Sequence, residues 1–273
     1  MLIDLHTHTS IGSKDSRISP EELVIKEKKR GINAICVTDH DSYKGFEETQ
    51  KIGAKHGILV IRGIELTTKY GHILVYGVNI HDIFKINTSD LIKEIERKEY
   101  LSLEELKDIL FTFASPLVSK INGFIQRLHE HGGAVILPHP FGGFSERETT
   151  VRYYLHKLLA TSNREIKMQE LLSFIKEQDL IYYSFLNQID GVEVLNPLCS
   201  WLENYFASML ADCLGKNHVG GSDCHIPEQV GICATEFPVW IESEDNLILQ
   251  LKQGKTTSKF NFTEDQLSMS GLK

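Results

Sequence analysis

Short apolar runs alternate with helix-patterned segments from the beginning of the chain. After Leu2-Ile3, apolar runs lie at about 33–38 and 58–63, and a helix pattern at about 43–56 separates them. Runs of this length are typical of buried strands, and their alternation with helices is typical of βαβ units. The pattern predicts an α/β fold with a mainly parallel sheet.

The first predicted helix has a well-defined start signal. Ser19 is followed by Pro20 and, three residues after the serine, by Glu22. This spacing predicts Ser19 as the N-cap and Pro20 as the first helical residue. Gly31 follows the charged end of the segment and is predicted to stop the helix.

The rest of the chain continues the same alternation. Further strands are predicted at about 72–78, 134–137, 190–195 and 217–221, with a last one near 231–237. Further helices are predicted at about 89–100, 101–131, 201–214 and 245–253. Together with the first three, the strands up to 217–221 make seven barrel-type strands.

The segment 144–186 departs from this alternation. It is rich in charge, contains Arg147, Arg152 and Arg164, and follows the loop around His139 directly. We predict a helical insertion within the barrel. Its position beside the candidate site favours a lid or a substrate-selecting cap, and the alternative is a solvated helical decoration.

Composition indicates a single enzyme-sized domain over residues 1–273. The chain is 41% hydrophobic with a formal net charge of −8, which argues against a general affinity for duplex nucleic acid. The five cysteines are an odd number without a Cys-x-x-Cys pair, which disfavours a zinc ribbon or a disulfide framework. With no apolar stretch long enough to span a bilayer, we expect a cytoplasmic protein, and we predict no oligomeric state.

Histidines and carboxylates collect at the ends of the predicted strands. His6 and His8 are separated by one residue on the first strand, so their side chains leave the same face and can converge on one ion. Further histidines and carboxylates directly follow predicted strands, or in the case of His72 open one: His40, Glu65, His72, His139, Asp223 and His225. In parallel α/β folds, catalytic groups gather at the carboxyl ends of strands.

Five motifs, taken in order, resemble the PHP family, which is named for polymerase and histidinol phosphatase. They are Asp-Leu-His-Thr-His-Thr at 4–9, Thr-Asp-His-Asp at 38–41, Gly-Ile-Glu-Leu at 63–66, Pro-His-Pro at 138–140 and Gly-Ser-Asp-Cys-His at 221–225. The resemblance covers nearly the whole chain and is closest to stand-alone PHP phosphoesterases. It implies a distorted (β/α)7 barrel with a trinuclear metal centre at the carboxyl ends of the strands.

The resemblance also implies which residues bind the metals. The first site matches His6, His8, Glu65 and Asp223, the second Glu65, His72 and His139, and the third Asp15, His40 and His225. Asp4, Asp39 and Asp41 flank these positions and are either further ligands or, as we favour, partners that orient the imidazoles.

This ligand set predicts two or three divalent ions, with zinc, manganese and iron as candidates. Imidazole and carboxylate suit these metals, and six histidines with three carboxylates exceed what one ion can use. Ions a few Å apart lower the pKa of a bridging water and neutralise a phosphoryl oxygen. The predicted reaction is attack of a metal-activated hydroxide on phosphorus at a di- or trinuclear centre.

Two further roles are predicted for individual side chains. His40 and His225 are candidates for delivering a proton to the leaving alkoxide, with a metal-bound water as the alternative, and Asp223 is included with them as a catalytic residue. Arg17 and Arg147 are candidates for gripping a phosphate. The alternative for each arginine is an ordinary solvated position.

Three functions compete at this point. The favoured one is hydrolysis of a phosphate ester of a small molecule, such as a nucleotide. The second is an exonuclease that trims single-stranded RNA or DNA ends, and the third is a non-catalytic metal-binding regulatory module. Aromatic residues of the insertion would separate the first two if they stack bases instead of packing helices: Tyr153, Tyr154, Tyr182, Tyr183 and Phe185.

Overall fold

The computed structural model describes residues 1–68, 70–80, 121–142, 150–161 and 167–261. Its strands are β1 (Leu2–Thr7), β2 (Ala34–Val37), β3 (Leu59–Thr68), β4 (Gly71–Tyr76), β5 (Ala134–Leu137), β6 (Gly191–Leu195), β7 (Asn217–Gly220), β8 (Cys233–Glu236) and β9 (Thr257–Phe260). Its helices are α1 (Pro20–Lys29), α2 (Lys44–His56), α3 (Ile121–Glu130), α4 (Val151–Thr161), α5 (Met168–Gln178), α6 (Leu180–Gln188), α7 (Trp201–Leu214) and α8 (Glu244–Gln253).

All nine of these strands form one sheet in the order β7-β6-β5-β4-β3-β2-β1-β8-β9. Strands β1 to β3 pair in parallel, as do β5 to β7. The remaining pairings are antiparallel: β3 with β4, β4 with β5, β1 with β8, and β8 with β9. The sheet is therefore made of two parallel blocks joined through an antiparallel strand.

Side chains bring the two ends of the sheet together. The Thr235 hydroxyl on β8 accepts a hydrogen bond from the Gly220 N–H at 2.9 Å and donates to the Gly220 carbonyl at 2.8 Å. The Thr256 hydroxyl donates to the His218 carbonyl at 2.7 Å. These contacts link β7 to β8 and β9, so the sheet is a nearly closed barrel, which confirms the predicted fold class.

The start of α1 is as predicted. The Ser19 side chain accepts a hydrogen bond from the Glu22 N–H, and Pro20 occupies the first turn. The predicted helix at 43–56 is α2, which ends at Gly57 with a left-handed φ of 68°. Both βαβ units at the amino end of the chain therefore follow from local signals in the sequence.

The prediction of a mainly parallel sheet is wrong for the middle of the barrel. β3 continues beyond residue 63 to Thr68 and turns directly into β4, with Glu65 paired to Leu74 in the antiparallel register. A hairpin needs only a tight turn, whereas a parallel return needs a crossover segment. Strand β9 was not predicted at all.

The insertion is helical where it is described. Helices α4, α5 and α6 fall within it, and α6 continues past residue 186 to Gln188. Val151, Leu171, Ile175 and Phe185 are fully buried in the largest core cluster, so the helices are packed onto the barrel. Residues 144–149 and 162–166 lie outside the described residues, and the cap function stays a prediction. The predicted helix at 89–100 and residues 101–120 of the helices predicted at 101–131 also lie outside them, and α3 is the part of that prediction that the structure describes.

No helix among the described residues is both long and apolar enough to cross a membrane.

Candidate metal centre

His6 lies on β1 and His8 directly follows it, with the two rings on the same side of the sheet. Both are fully buried, and their Nε2 atoms are 3.1 Å apart. Their ring centroids are 5.0 Å apart. The alternation of a strand thus places two imidazole nitrogens at one point, as predicted from the His-x-His spacing.

The buried Glu65 carboxylate on β3 lies at the middle of the cluster. Its Oε1 is 2.8 Å from His72 Nδ1 and 3.1 Å from His139 Nε2. Its Oε2 is 3.0 Å from His40 Nδ1 and 3.3 Å from the Nε2 atoms of both His6 and His8. One carboxylate therefore faces five imidazoles with two oxygens, which suits a bridging ligand.

Asp223 and His139 reach the cluster from strained turns. Asp223 Oδ1 is 3.1 Å from His8 Nε2 and 3.4 Å from His6 Nε2. The φ angles are +47° for Asp223 and +27° for His139, a region that residues other than glycine rarely adopt. Such strain persists where the surrounding structure fixes it, and it is common at functional sites.

Asp15, His40 and His225 form a more open side of the cluster. Asp15 Oδ2 is 3.4 Å from His40 Nε2 and 3.3 Å from His225 Nε2. The Asp15 side chain is 56% exposed, against 25% for His40 and 21% for His225. The His8 ring lies 4.5 Å from the His40 ring and 4.4 Å from the His225 ring, which joins this side to the buried one.

The structure thus brings all nine predicted ligands into one contiguous cluster. Four subsets have ligand atoms within 4.8 Å of one another: His6, His8, Glu65 and Asp223; His40, Glu65 and His72; His8, His40 and His225; and His6, His139 and Glu193. Their assignment as metal ligands is a proposal. Only the first subset coincides with a site that the resemblance implies. In the others His40 replaces His139 beside Glu65 and His72, His8 replaces Asp15 beside His40 and His225, and His139 groups with His6 and Glu193.

Electrostatics within the cluster favours positive charge at the imidazoles. Burial alone would lower the pKa of His6, but the neighbouring carboxylates of Asp223 and Glu193 raise it well above the ordinary value. The same competition raises the pKa of His8 to about 9. In return, the imidazoles hold the pKa values of Glu65 and Asp223 well below their usual range despite burial.

The side chains present fit divalent cations. Among the described residues, the ion-pair partners of Glu65 and Asp223 are all histidines. His72 Nδ1 and Glu65 Oε2 are buried, yet neither makes a hydrogen bond of acceptable geometry within the part of the chain described. Donor atoms that converge without hydrogen bonding to each other suit a shared cation, and imidazole with carboxylate suits zinc, manganese or iron.

Asp39 supports the cluster through Ser13. The Asp39 carboxylate accepts hydrogen bonds from the Thr9 N–H at 2.6 Å and from the Ser13 hydroxyl at 2.9 Å. Ser13 Oγ in turn lies 3.0 Å from His8 Nδ1 and accepts from the His40 N–H at 3.0 Å. This arrangement supports the orienting role favoured for Asp39.

Sequence analysis missed Glu193 and Asn196. Glu193 on β6 is buried with its Oε1 3.0 Å from His6 Nδ1, and Asn196 Nδ2 donates to Asp223 Oδ2 at 3.0 Å. The signal was present in Val192-Glu193-Val194, where a carboxylate interrupts an apolar strand. Such a residue is either on the solvent face or in a polar barrel interior, and the sequence alone does not distinguish the two.

Of the two arginines predicted to bind phosphate, Arg17 is among the described residues and Arg147 is not. The Arg17 N–H donates to the His225 carbonyl at 2.9 Å, and its side chain is exposed beside the open side of the cluster. Arg147 lies outside the described residues. Arg17 therefore stays a candidate for phosphate binding.

The aromatic residues of the insertion pack helices. Tyr154, Tyr182 and Phe185 are buried in the largest core cluster, and the Tyr70 ring lies 5.2 Å from the Tyr182 ring at an angle of 11°. These three side chains are not accessible for stacking on bases, whereas Tyr153 and Tyr183 are partly buried against the same cluster. The argument for the exonuclease function from this group is therefore weakened.

The family assignment follows from comparison with known proteins. The PHP domain family matches residues 4–228, and the PHP-associated family matches residues 201–256. The chain belongs to the PHP domain family. The region matched by the PHP domain contains every predicted ligand of the cluster, from His6 to His225.

Sequence relatives of this PHP chain match it over short stretches. It is 43% identical over 63 residues to the PolC-type DNA polymerase III of Oceanobacillus iheyensis, covering 23% of this chain and 4% of the polymerase. It is 34% identical over 67 residues to the 5'-3' exoribonuclease of Haemophilus influenzae, covering 24% of each. It is 30% identical over 78 residues to the 3',5'-nucleoside bisphosphate phosphatase of Chromobacterium violaceum, covering 29% of this chain and 27% of the phosphatase.

The chain therefore spans less than a third of the length of each of these relatives. Membership of the PHP family and the similarity to the bisphosphate phosphatase support a metal-dependent hydrolase.

Two solved structures share the fold of this PHP chain. A two-domain protein from Bacteroides vulgatus, described as containing a predicted PHP-like metal-dependent phosphoesterase, has a TM-score of 0.55 at 16% identity, covering 98% of this chain and 68% of that one. PsfC from Pseudomonas syringae has a TM-score of 0.55 at 16% identity, covering 99% of this chain and 96% of that one. At this identity the likeness concerns the fold alone.

Proposed function

We propose that the chain is a metal-dependent phosphoesterase that hydrolyses a phosphate ester of a small molecule, such as a nucleotide. The observation that carries the proposal is the buried Glu65 carboxylate, which faces imidazoles from four separate segments of the chain. The similarity to a 3',5'-nucleoside bisphosphate phosphatase favours a nucleotide as substrate.

The residues of the cluster divide between cation sites. His6, His8 and Asp223 would hold one ion with Glu65, and His72 and His139 would hold a second on the other Glu65 oxygen. The third would be held by Asp15, His40 and His225. Divalent ions in these positions would supply an activated water and neutralise the charge of a phosphoryl oxygen.

The open side of the cluster is the entrance for substrate. His40, His225 and Asp15 are partly exposed there, whereas His6, His8 and Glu65 are fully buried. The exposed Arg17 side chain adds a positive charge at this edge, where it would attract a phosphate.

Proton transfer to the leaving group is assigned to the same open side. Burial and the neighbouring charge of His8 lower the pKa of His225. Its imidazole is therefore neutral near pH 7, with Nδ1 donating to the Asp223 carbonyl, which leaves the Nε2 lone pair for cation binding. His225 would serve in proton transfer only while Nε2 holds no cation. Asp223 is held ionised by the imidazoles around it, so we assign it to cation binding and not to proton donation.

A phosphate-release screen tests the proposed function. Mononucleotides, nucleoside bisphosphates, sugar phosphates and short oligonucleotides are incubated with the protein and Mn²⁺, and released phosphate is measured. We expect turnover of at least one small-molecule ester, and His8→Ala should lower it by more than about 100-fold because a cation ligand is lost.

His218→Ala is the matched control. His218 lies on β7, close in sequence to Asp223, but its ring pairs with Asp212 at 3.0 Å. This variant should keep the activity. Release of mononucleotides from oligonucleotides alone would favour the exonuclease alternative, and equal activity of His8→Ala and the wild type would contradict both.

A further inference from the structure

We propose that Glu193 and Asn196 are positioning residues that hold His6, His139 and Asp223 in place through one buried hydrogen-bonded brace. This Glu193–Asn196 brace rests on the proposed function, because the three side chains it holds are those that would bind the cations. Neither residue was among the ligands implied by the sequence.

The first contact of the brace fixes the ring of His6. Glu193 is buried, and its Oε1 lies 3.0 Å from His6 Nδ1. A carboxylate at Nδ1 selects the tautomer with a proton on that nitrogen and leaves Nε2 with a free lone pair. His6 Nε2 points into the cluster, 3.3 Å from Glu65 Oε2.

The second oxygen of Glu193 holds the turn that carries His139. Glu193 Oε2 accepts a hydrogen bond from the His139 N–H at 3.0 Å. His139 has a φ of +27°, which costs conformational energy for a residue with a side chain. A charge-assisted hydrogen bond to its N–H offsets that cost and keeps the ring near Glu65.

Asn196 joins this carboxylate to Asp223. Asn196 is buried, and its Nδ2 donates to Glu193 Oε2 and to Asp223 Oδ2, both at 3.0 Å. The amide orientation follows from its Oδ1, which accepts from the Leu198 N–H at 2.8 Å. With Oδ2 occupied by the amide, Asp223 presents Oδ1 to His8, while its backbone N–H donates to the His6 carbonyl at 2.7 Å.

The brace also explains why residue 221, directly after β7, is a glycine. A Cβ added at Gly221 would lie 2.9 Å from Glu193 Oε1 and in contact with the His6 Cβ. A side chain there would push apart the two partners of the first contact. Gly221 thus allows β1 and β6, which are not neighbours in the sheet, to meet across the barrel.

An alternative role for Glu193 is direct cation binding. His6, His139 and Glu193 have ligand atoms within 4.8 Å of one another. However, both Glu193 oxygens already have hydrogen-bonding partners, so the geometry favours a positioning role. The two roles differ in one measurable quantity: a lost ligand lowers the number of ions bound at saturation, and a lost brace lowers only the affinity.

The test measures zinc binding by metal-free protein. Zn²⁺ is titrated into the wild type, Glu193→Gln and Asn196→Ala in competition with a chromogenic chelator, and the ions bound at saturation are counted by elemental analysis. In Glu193→Gln the amide oxygen can replace only one of the two carboxylate oxygens. The NH₂ then faces either the Nδ1 proton of His6 or the donors of His139 and Asn196, and it accepts from neither. Both variants should bind the tightest zinc about 10- to 100-fold more weakly than the wild type, with an unchanged number of ions at saturation.

Asp190→Asn is the matched control. Asp190 directly precedes β6, and its carboxylate lies 2.9 Å from His129 Nε2 and accepts from the Val135 N–H at 2.8 Å. It therefore makes the same kinds of contact as Glu193 but away from the cluster. Asp190→Asn should lower thermal stability without changing zinc affinity. The visible spectrum of Co²⁺-loaded protein should shift in Glu193→Gln and not in Asp190→Asn.

The outcomes separate the brace from the proposed function. The brace would be overturned if both variants bound zinc as tightly as the wild type. It would also be overturned if Glu193→Gln bound one ion fewer at saturation. Neither result would contradict the proposed function, provided that the wild type binds zinc. A wild-type protein that binds no zinc would overturn the proposed function itself, and the brace with it. If one variant fails to fold, the other carries the test, because each leaves the partner residue in place.

Discussion

Two pairs of buried carboxyls in the same barrel behave in opposite ways. Glu65 and Asp223 in the cation cluster are almost completely buried, and so are Asp4 on β1 and Glu27 on α1. The pKa values of Glu65 and Asp223 are held well below their usual range. Burial raises the pKa of Asp4 to about 6 and that of Glu27 well above its ordinary value.

The difference comes from the groups that face each pair. Glu65 and Asp223 face imidazoles, which favour the ionised acid. Asp4 and Glu27 face each other, and if both were ionised, Asp4 Oδ2 and both Glu27 oxygens would have no hydrogen-bond donor. A proton held on Glu27 supplies that donor, although the nearby Arg30 guanidinium opposes the shift. Burial alone therefore does not make a carboxyl suitable for cation binding. The imidazoles that face Glu65 and Asp223 keep these two ionised.

Of the changes that test this difference between the two pairs, removal of metal should have the largest effect on the stability of the protein. Treating the protein with a chelator should lower its free energy of unfolding by about 2.7 kcal/mol for each ion present at 100 times its dissociation constant. The expected cause is that Glu65 and Asp223 lose the cations that compensate their charge. Thermal unfolding with and without chelator measures the effect.

Readdition of Mn²⁺ or Zn²⁺ should restore the original midpoint. An unfolding midpoint that does not respond to chelator or to added metal would show that the imidazole-rich pair binds no ion. In that case the distinction between the two pairs would have no functional meaning.

Gly45→Ala tests a third buried carboxyl, that of Asp39, which is compensated by N–H and O–H donors. A Cβ at Gly45 would contact the Thr9 hydroxyl and Asp39 Oδ2, which are hydrogen-bonded to each other. We expect a destabilisation of about 1–3 kcal/mol from overpacking, measured by urea unfolding.

Gly123→Ala on α3 is the control for this substitution. Among the described residues, a Cβ at Gly123 would have no atom within 4 Å outside its own helix backbone, so the change should stabilise the helix by about 0.5–1 kcal/mol. Equal stabilisation by both substitutions would mean that the Asp39 network is loose and does not fix Ser13 beside His8.

Glu27→Gln tests the Asp4–Glu27 pair, and its effect on the free energy of unfolding should develop gradually with pH. The pKa of Glu27 is raised in the folded state, so the wild type is fully stabilised below the unfolded pKa of about 4.5 and loses stability as pH rises toward the folded pKa. Glutamine can donate to Asp4 without titrating. The advantage of the variant should therefore grow above pH 4.5, by at most about 1.4 kcal/mol per pH unit.

Urea unfolding at several pH values in the presence of chelator isolates this effect from metal binding. Glu21→Gln, at an exposed position on the same helix, should show no such growth. Parallel pH profiles for wild type and Glu27→Gln would contradict a proton shared between Asp4 and Glu27. Metal content should be the same in Glu27→Gln and the wild type.

Most of the cluster could be predicted because its residues follow strands with strong local signals. His6 and His8 are placed by strand alternation, and His139 follows the four-residue strand β5, whose bounds match the predicted 134–137. The helix at 201–214 was likewise predicted, and in the structure it begins with a capping box between Ser200 and Glu203. These features depend on a few neighbouring residues, which a sequence displays directly.

The features that were missed depend on contacts between distant segments. β9 is short and largely exposed, and it becomes a strand only because it pairs with β8. Glu193 is buried in the barrel interior, where it contacts His6. The two residues are 187 positions apart in the sequence, so no local pattern indicates their contact. The antiparallel β3–β4 hairpin depended on the length of β3, and element ends are the least certain part of a sequence reading.

The position of β1 within the sheet decides when the buried part of the cluster is complete. β1 precedes the other described strands in the sequence, yet one of its edges pairs with β8, and the Phe237 N–H donates to the Met1 carbonyl at 2.9 Å. A nascent chain therefore leaves this edge of β1, the strand that carries His6, unpaired until residues near 237 have emerged. Loop closure over this span is slow compared with local folding. We predict that the buried site binds its proposed cations only after β8 has paired with β1.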